Sequence, residues 1–369
     1  MRWLGFTLLA AGCVAAACWG PAQLWPTTAA PDGVYGRAGD GPSGLALLSA
    51  QAEKGALQAD VPPPASAANP PSPASPPVTA VAEPFLPEVA EAACTTLLPR
   101  LPGLSRAQCV ATRLQASGAL SRQGAPLYWR DVPSHAGAAA KGQPAAEPLR
   151  VLVVGAMHGD ELTAASLALR WIGMAAAEGA ADAGEPAPVH WRFIPVLNPD
   201  GLLAPKPTRV NAGGVDLNRN FPTPGWAEEA PVYWEKRTRK DPRRWPGHTP
   251  LSEPESRFLH QQMDQFQPQL VVSIHAPYGV LDFDGPHDPP LRLGRLRMDK
   301  LGVFPGSLGH YGGLHRGVPV VTIELEHALR MPPDAEVRAM WRDLRHWMNT
   351  RLLEGADAVA GVKPPGLRR

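Results

Sequence analysis

Cysteine, net charge and long apolar runs are all scarce in this 369-residue chain, and each shortage removes a class of function. Of the four cysteines, Cys13 and Cys18 fall in the opening apolar segment, and the remaining Cys94 and Cys109 lack metal-site spacing. Lysine plus arginine (35) almost balance aspartate plus glutamate (34), so the net charge of +1 gives no electrostatic reason to expect a nucleic acid partner. The apolar run at residues 3–17 is too short for a comfortable membrane span. From about residue 20 to 88 apolar periodicity is missing and proline, alanine, serine and glycine dominate, so the part able to fold is shorter than the chain.

What is present begins with Arg2 and that apolar run, together a secretory signal over residues 1–19, which sets the expectation of an exported protein of the periplasm or cell envelope. Its small-residue end allows cleavage after the alanines at 15–17, or lipidation of Cys13 or Cys18 as a membrane tether; an uncleaved anchor is the plainer alternative. Residues 20–88, with Pro62-Pro63-Pro64 and Pro70-Pro71-Ser72-Pro73, read as a disordered linker. In an oxidising compartment Cys94 and Cys109 are expected to form a disulfide, with two buried free thiols as the alternative. The bridge would tie down a small leucine-rich unit, residues 89–119, ahead of a main domain at 120–354 and a flexible tail at 355–369.

Beyond residue 120, short apolar β-branched runs alternate with amphipathic stretches, the pattern of an α/β domain. Strands are expected at 126–132, 150–156, 191–197, 270–274 and 318–325. Helices are expected at 161–172, at 252–266 behind a Ser252-Glu253-Pro254-Glu255 capping box, and at 333–353. Residues 198–250 show little regular pattern, and an irregular stretch of that length inside a compact domain usually carries a site.

Three strand ends carry ionisable groups. The run 151–161 breaks at Gly155 and presents His158 and Glu161, three residues apart and able to converge on one metal ion. A second strand ends at His275, and a third carries Glu324 in Thr-Ile-Glu-Leu, where a lone buried carboxylate would be costly. Taken singly, each is as readily a structural or surface residue. Together, two histidines and one glutamate leave a fourth position open, as in catalytic rather than structural zinc sites, and Glu324 supplies a base.

The irregular stretch holds Asn198-Pro199-Asp200-Gly201, Thr208-Arg209 and Gly214-Val215-Asp216-Leu217-Asn218-Arg219-Asn220-Phe221-Pro222. With His158-Gly159-Asp160-Glu161 before them and Ser273-Ile274-His275 and Thr322-Ile323-Glu324-Leu325 after, these motifs resemble, in order, those of the zinc carboxypeptidase family. Within it they look closest to the murein peptide amidase A branch, over residues 120–350. The resemblance implies a mixed, mostly parallel twisted sheet flanked by helices, with one Zn2+ per chain on His158, Glu161 and His275. It further implies Glu324 as base, Arg209 on the scissile carbonyl and its oxyanion, and Asn218 with Arg219 on a substrate carboxylate. The expected substrate is a small murein-derived peptide cut at its γ-D-glutamyl–diaminopimelate bond. Alternatives are a carboxypeptidase on ordinary peptides, an aspartoacylase or succinylglutamate desuccinylase type of deacylase, or a non-catalytic wall-peptide-binding lipoprotein. Oligomeric state is not legible. The family's substrate tyrosine is replaced by the stretch Gly302-Val303-Phe304-Pro305-Gly306-Ser307, for which Tyr311 is a loose substitute, and Glu326 is the rival of Glu324 as base.

Overall fold

The computed structural model describes residues 86–133, 147–180 and 188–353, and the expected signal, the linker up to residue 85 and the 355–369 tail lie outside them. The strands are β1 (Gln115–Leu120), β2 (Pro126–Val132), β3 (Leu149–Val154), β4 (Val189–Ile194), β5 (Leu270–His275), β6 (Val280–Asp284), β7 (Arg292–Leu293), β8 (Leu296–Arg297) and β9 (Val320–Glu324). Seven of them form one sheet in the order β1-β2-β4-β3-β5-β9-β6. The inner four are parallel, and the outer pairings, β1 to β2, β2 to β4 and β6 to β9, are antiparallel.

The inner strands read as continuous apolar runs because helices cover both faces. Alternate residues feed two cores: Val151 and Val153 point to one face, Leu152 and Val154 to the other. The helices are α1 (Pro87–Leu97), α2 (Arg106–Ala111), α3 (Leu162–Ala180), α4 (Pro199–Leu203), α5 (Trp226–Val232), α6 (Pro254–Phe266) and α7 (Asp334–Trp347). On the first face α3 and α7 pack through Trp171 and Trp341, whose rings lie 5.3 Å apart, with Trp191 of β4 at 4.7 Å from Trp341. Losing one such packed tryptophan typically costs about 3–5 kcal/mol. On the second face α6 contributes Phe258, Leu259, Met263 and Phe266.

The expected boundary at residue 120 is not a boundary in packing. Helix α1 starts at Pro87, inside the stretch assigned to linker, and Ala93, Leu97 and Leu101 join the same core as β3 and α7, while β1 belongs to the main sheet. The described residues all belong to one compact unit. Cys94 and Cys109 are bonded, joining α1 to α2. The capping box at residue 252 does not form either. The N-cap of α6 is Glu253, which makes no side-chain cap, and the Ser252 hydroxyl instead donates to the Glu253 carboxylate at 2.8 Å.

Candidate metal centre

All the side chains of interest cluster at the carboxyl edge of the parallel strands, where such sheets leave a crevice. Past β3 the chain turns through Gly155, Ala156 and Met157 to His158, and α3 begins one residue after Glu161. Strand β5 ends on His275, which register sets directly beside Glu324 at the end of β9. The two-residue period puts Ser273, His275, Thr322 and Glu324 on one face of the sheet.

Glycines lock the loops together. A Cβ on Gly159 would lie 2.2 Å from the carbonyl carbon of Gly201, so the His158 loop and the Asn198-Pro199-Asp200-Gly201 turn can pack only as backbone against backbone. Asn198 caps α4 by accepting from Gly201 N–H at 2.9 Å and donates to the Arg209 carbonyl at 3.1 Å, which fixes the Arg209 backbone. Asp200 is structural, accepting from Ser121 Oγ and Gln123 N–H at the β1–β2 turn. Further along, Asn211 and Asn220 are buried. Asn211 donates to Glu253 and Glu255, and Asn220 donates to the Pro246 and Thr249 carbonyls. The irregular stretch is thus held by side-chain amides in place of a backbone ladder.

His158, Glu161 and His275 form a buried group whose ligand atoms all lie within 4.8 Å of one another. His158 Nδ1 is 2.8 Å from Glu161 Oε1, His275 Nδ1 is 2.9 Å from Glu161 Oε2, and the two Nδ1 atoms are 3.1 Å apart. Zinc bonds of about 2.0–2.1 Å in tetrahedral array need ligand atoms roughly 3.3 Å apart, so this donor set fits zinc. The outer nitrogens are already engaged: His158 Nε2 lies 3.1 Å from Asp216 Oδ1, and His275 Nε2 lies 2.9 Å from Ser273 Oγ. Bonds of that kind fix the tautomer and leave each Nδ1 free as a ligand. Burial acts against the Glu161 charge, but the two histidines outweigh it and hold the carboxyl far below its usual range.

Arg209 donates through Nε and pairs through Nη2 with Asp216 Oδ2, both at 3.0 Å, and its Nη1 stands 3.6 Å from Glu161 Oε1. Burial works against its charge, but Asp216 and then Glu161 raise its pKa above the ordinary value. Asn218 accepts the Leu308 N–H on its Oδ1 at 2.8 Å, so its amide nitrogen is the group left to donate. Arg219 is 5 % exposed, its Nε has no partner among the described residues, and its guanidinium rests 4.5 Å above the Phe304 ring. Burial lowers its pKa to about 10. The turn at 305–308 docks here because Gly306 has no side chain: a Cβ would come 2.0 Å from the Arg219 carbonyl.

Glu324 is 7 % exposed, and its Oε2 has no hydrogen-bond partner among the described residues. Burial, then the Glu161 carboxylate, push it up to about 8. Two expectations are corrected. Glu326 lies beyond the end of β9, where strand alternation no longer applies; it is exposed and pairs with Arg295 at 3.8 Å. Tyr311 is buried, stacked on Phe221, with its hydroxyl bound to His260 at 2.5 Å and Arg316 at 2.9 Å, so it packs the core rather than the site. Phe304 occupies the place beside Arg219. Sequence reading assigned no role to Asp216 or Ser273. The signal for Asp216 was its place in the motif before Asn218, but nothing local reveals that it reaches both His158 and Arg209.

Residues 111–284 match the family model described as zinc carboxypeptidase, a span that holds the three metal-site residues and ends before Glu324. Murein peptide amidase A of Escherichia coli (strain K12) is 34% identical over 164 residues, 43% of this chain and 57% of the relative; that of Vibrio campbellii is 33% identical over 146 residues, 35% and 54%. The chain therefore spans a little over half the length of the curated relatives it matches. Among solved structures, murein-tripeptide amidase from Escherichia coli O157 aligns over 68% of this chain and 93% of its own, with 24% identity and a TM-score of 0.42. Carboxypeptidase A from Helicoverpa armigera aligns over 75% and 82%, with 14% identity and a TM-score of 0.48. The matched residues enclose the His158, Glu161 and His275 cluster, so residues 111–284 resemble a zinc carboxypeptidase in the stretch that builds this centre.

Proposed function

We infer that this chain is an exported, zinc-dependent amide hydrolase that cuts murein-derived peptides between γ-D-glutamate and diaminopimelate. The observation that carries the reading is the convergence of two histidine Nδ1 atoms and the Glu161 carboxylate beside the buried, half-satisfied Glu324. When bound, zinc supplies Lewis acidity to the scissile carbonyl and acidifies the attacking water. Glu324 takes the proton of that water and delivers it to the leaving amine; a carboxyl with raised proton affinity suits both halves of the transfer near neutral pH. Arg209, clamped by Asp216, keeps Nη1 toward the site for the developing oxyanion. Arg219 and the Asn218 amide nitrogen grip a substrate carboxylate, which adds a negative charge to a buried guanidinium whose Nη1 already donates to the Asn218 carbonyl and whose Nε has no partner among the described residues. Murein peptides are favoured because the curated relatives that match are named murein peptide amidase A. An apolar leader ahead of the domain supports export.

The test is chromatography of L-Ala-γ-D-Glu-meso-diaminopimelate after incubation with zinc-loaded protein, with chelator, and with Glu324→Gln. Free diaminopimelate, abolished by chelator and by the variant, is the expected result. Intact tripeptide alongside chelator-sensitive cleavage of ordinary peptides would leave a carboxypeptidase of different substrate. No cleavage of either would return the chain to a receptor role.

A further inference from the structure

Residues 236–244 carry six cations, Lys236, Arg237, Arg239, Lys240, Arg243 and Arg244, against one acid, Asp241. Nothing in the hydrolytic scheme uses them. Two contacts fix the segment against the site. Arg243 donates from Nη2 to Asp160 Oδ2 at 2.8 Å, and Asp160 is the neighbour of Glu161. The Trp245 carbonyl accepts the Asp216 N–H at 2.8 Å, and Asp216 is the carboxylate shared by His158 and Arg209. Arg244 lies between these anchors and is thereby held at the rim of the metal centre. Its side chain is 35% exposed, and its ion pair with Asp241, through Nε, is long at 3.6 Å. Neither terminal nitrogen of Arg244 takes part in an ion pair among the described residues. The charge also reaches Arg219: after burial and Arg209, Arg244 helps hold that guanidinium below its usual range.

We propose that Arg244 is a specificity-determining residue that binds a second carboxylate of the substrate, distinct from the one held by Arg219 and Asn218. This rests on the amide-hydrolase reading above and narrows its substrate class to peptides with two carboxylates near the scissile bond. A guanidinium with two terminal nitrogens outside any ion pair matches a carboxylate fork to fork, and two arginines anchored on the same loops and close enough to repel each other call for two anionic groups. A γ-glutamyl amide keeps its α-carboxylate free on the acyl side, and diaminopimelate carries an extra carboxylate on the leaving side. Both offer the chemistry that Arg244 fits.

Three peptides separate these sources: L-Ala-γ-D-Glu-meso-diaminopimelate, the same peptide with the glutamyl α-carboxylate amidated, and the same peptide with lysine in place of diaminopimelate. Kinetics on each would be measured for the zinc-loaded wild type, Arg244→Gln, Arg244→Lys and a charge-matched control, Arg342→Gln, on the exposed side of α7. On the parent peptide Arg244→Gln is expected to lower kcat/KM about 10- to 100-fold, mainly through KM, the range of a hydrogen bond to a charged group. It should have no effect on whichever peptide lacks the carboxylate that Arg244 reads. Arg244→Lys should recover part of the loss, and Arg342→Gln should match the wild type throughout. An equal loss on all three peptides would reduce Arg244 to a structural or general-field role and overturn the inference, as would wild-type rates for Arg244→Gln. A wild type that cleaves none of the three fails at the underlying reading, and the inference falls with it.

Discussion

At the metal end of the site, His158, His275, Glu161, Asp216 and Arg209 are joined by contacts of 2.8 to 3.6 Å, so that each charge meets an opposite. A few residues away Arg219 is as deeply buried, yet no carboxylate forms an ion pair with it among the described residues. Burying a charge without a partner is expensive, so a chain that keeps one has given up stability there for something else. The metal end is a closed network of opposite charges, while at the other end Arg219 has the Asn218 carbonyl as a hydrogen-bond acceptor but no ion-pair partner among the described residues, which is where the proposed substrate carboxylate would enter. Glu324 shares a trait with each: it is buried like the first group, and its Oε2 lacks a hydrogen-bond partner among the described residues, as Arg219 Nε does.

That contrast breaks most sharply at Glu324. Replacing it with glutamine should lower kcat by roughly 10²- to 10⁴-fold, the usual worth of a positioned acid–base group, with zinc content unchanged by metal analysis. Loss of zinc along with activity would move Glu324 into the metal group. Arg219→Gln comes next: kcat/KM for a substrate ending in a carboxylate should fall about 10- to 150-fold, while the thermal midpoint holds or rises because an unpaired buried charge has gone. A drop in the midpoint together with intact kinetics would show that Arg219 serves the fold. On the closed side, Asp216→Asn should weaken zinc affinity by about 10- to 100-fold in a chelator competition, because the histidine loses the carboxylate that orients it. Unchanged affinity would mean that the closed network is not what prepares His158.

The smallest effect concerns Asp284, an acid with the opposite predicament to Arg219, pushed up to about 6 by burial and then by Asp282. A folded-state pKa above the unfolded value of about 3.9 means that its stabilising contribution is whole below about pH 4 and is lost as pH rises through about 6. Urea unfolding of Asp284→Asn against the wild type should therefore show a stability difference that shifts in favour of the variant between pH 4 and 7. Parallel curves would remove Asp284 from the set of groups that titrate with folding.

Much of this was legible before any coordinates. Strand β2 runs over the residues expected of it, and β3, β4, β5 and β9 fall within two or three residues of the apolar runs that announced them, because strands buried on both faces need little but apolar residues. The edge strands were missed for the converse reason. β1, Gln-Ala-Ser-Gly-Ala-Leu, alternates partly buried with exposed residues and has none fully buried, and β6 places Asp282 and Asp284 in a run that otherwise reads as strand. Helix α7 extended from its periodic apolar residues as expected, and Tyr311, though near the site in sequence, went to the core beside Phe221.

The sequence alone determined the α/β class and singled out His158, Glu161, His275 and Glu324, which the structure gathers at the carboxyl ends of the parallel strands, because strand ends are where such a sheet presents ionisable side chains. Tertiary structure decided that residues 89–119 pack as part of the main body, that Glu326 points away, and that Asp216 joins His158 to Arg209. It also decided that residues 243–245 lie against the metal loop. Those outcomes depend on contacts between residues far apart in the chain, which are set by backbone approaches such as Gly159 on Gly201 and Gly306 on Arg219. No local pattern encodes such a contact, because each glycine permits it while only its distant partner makes it necessary.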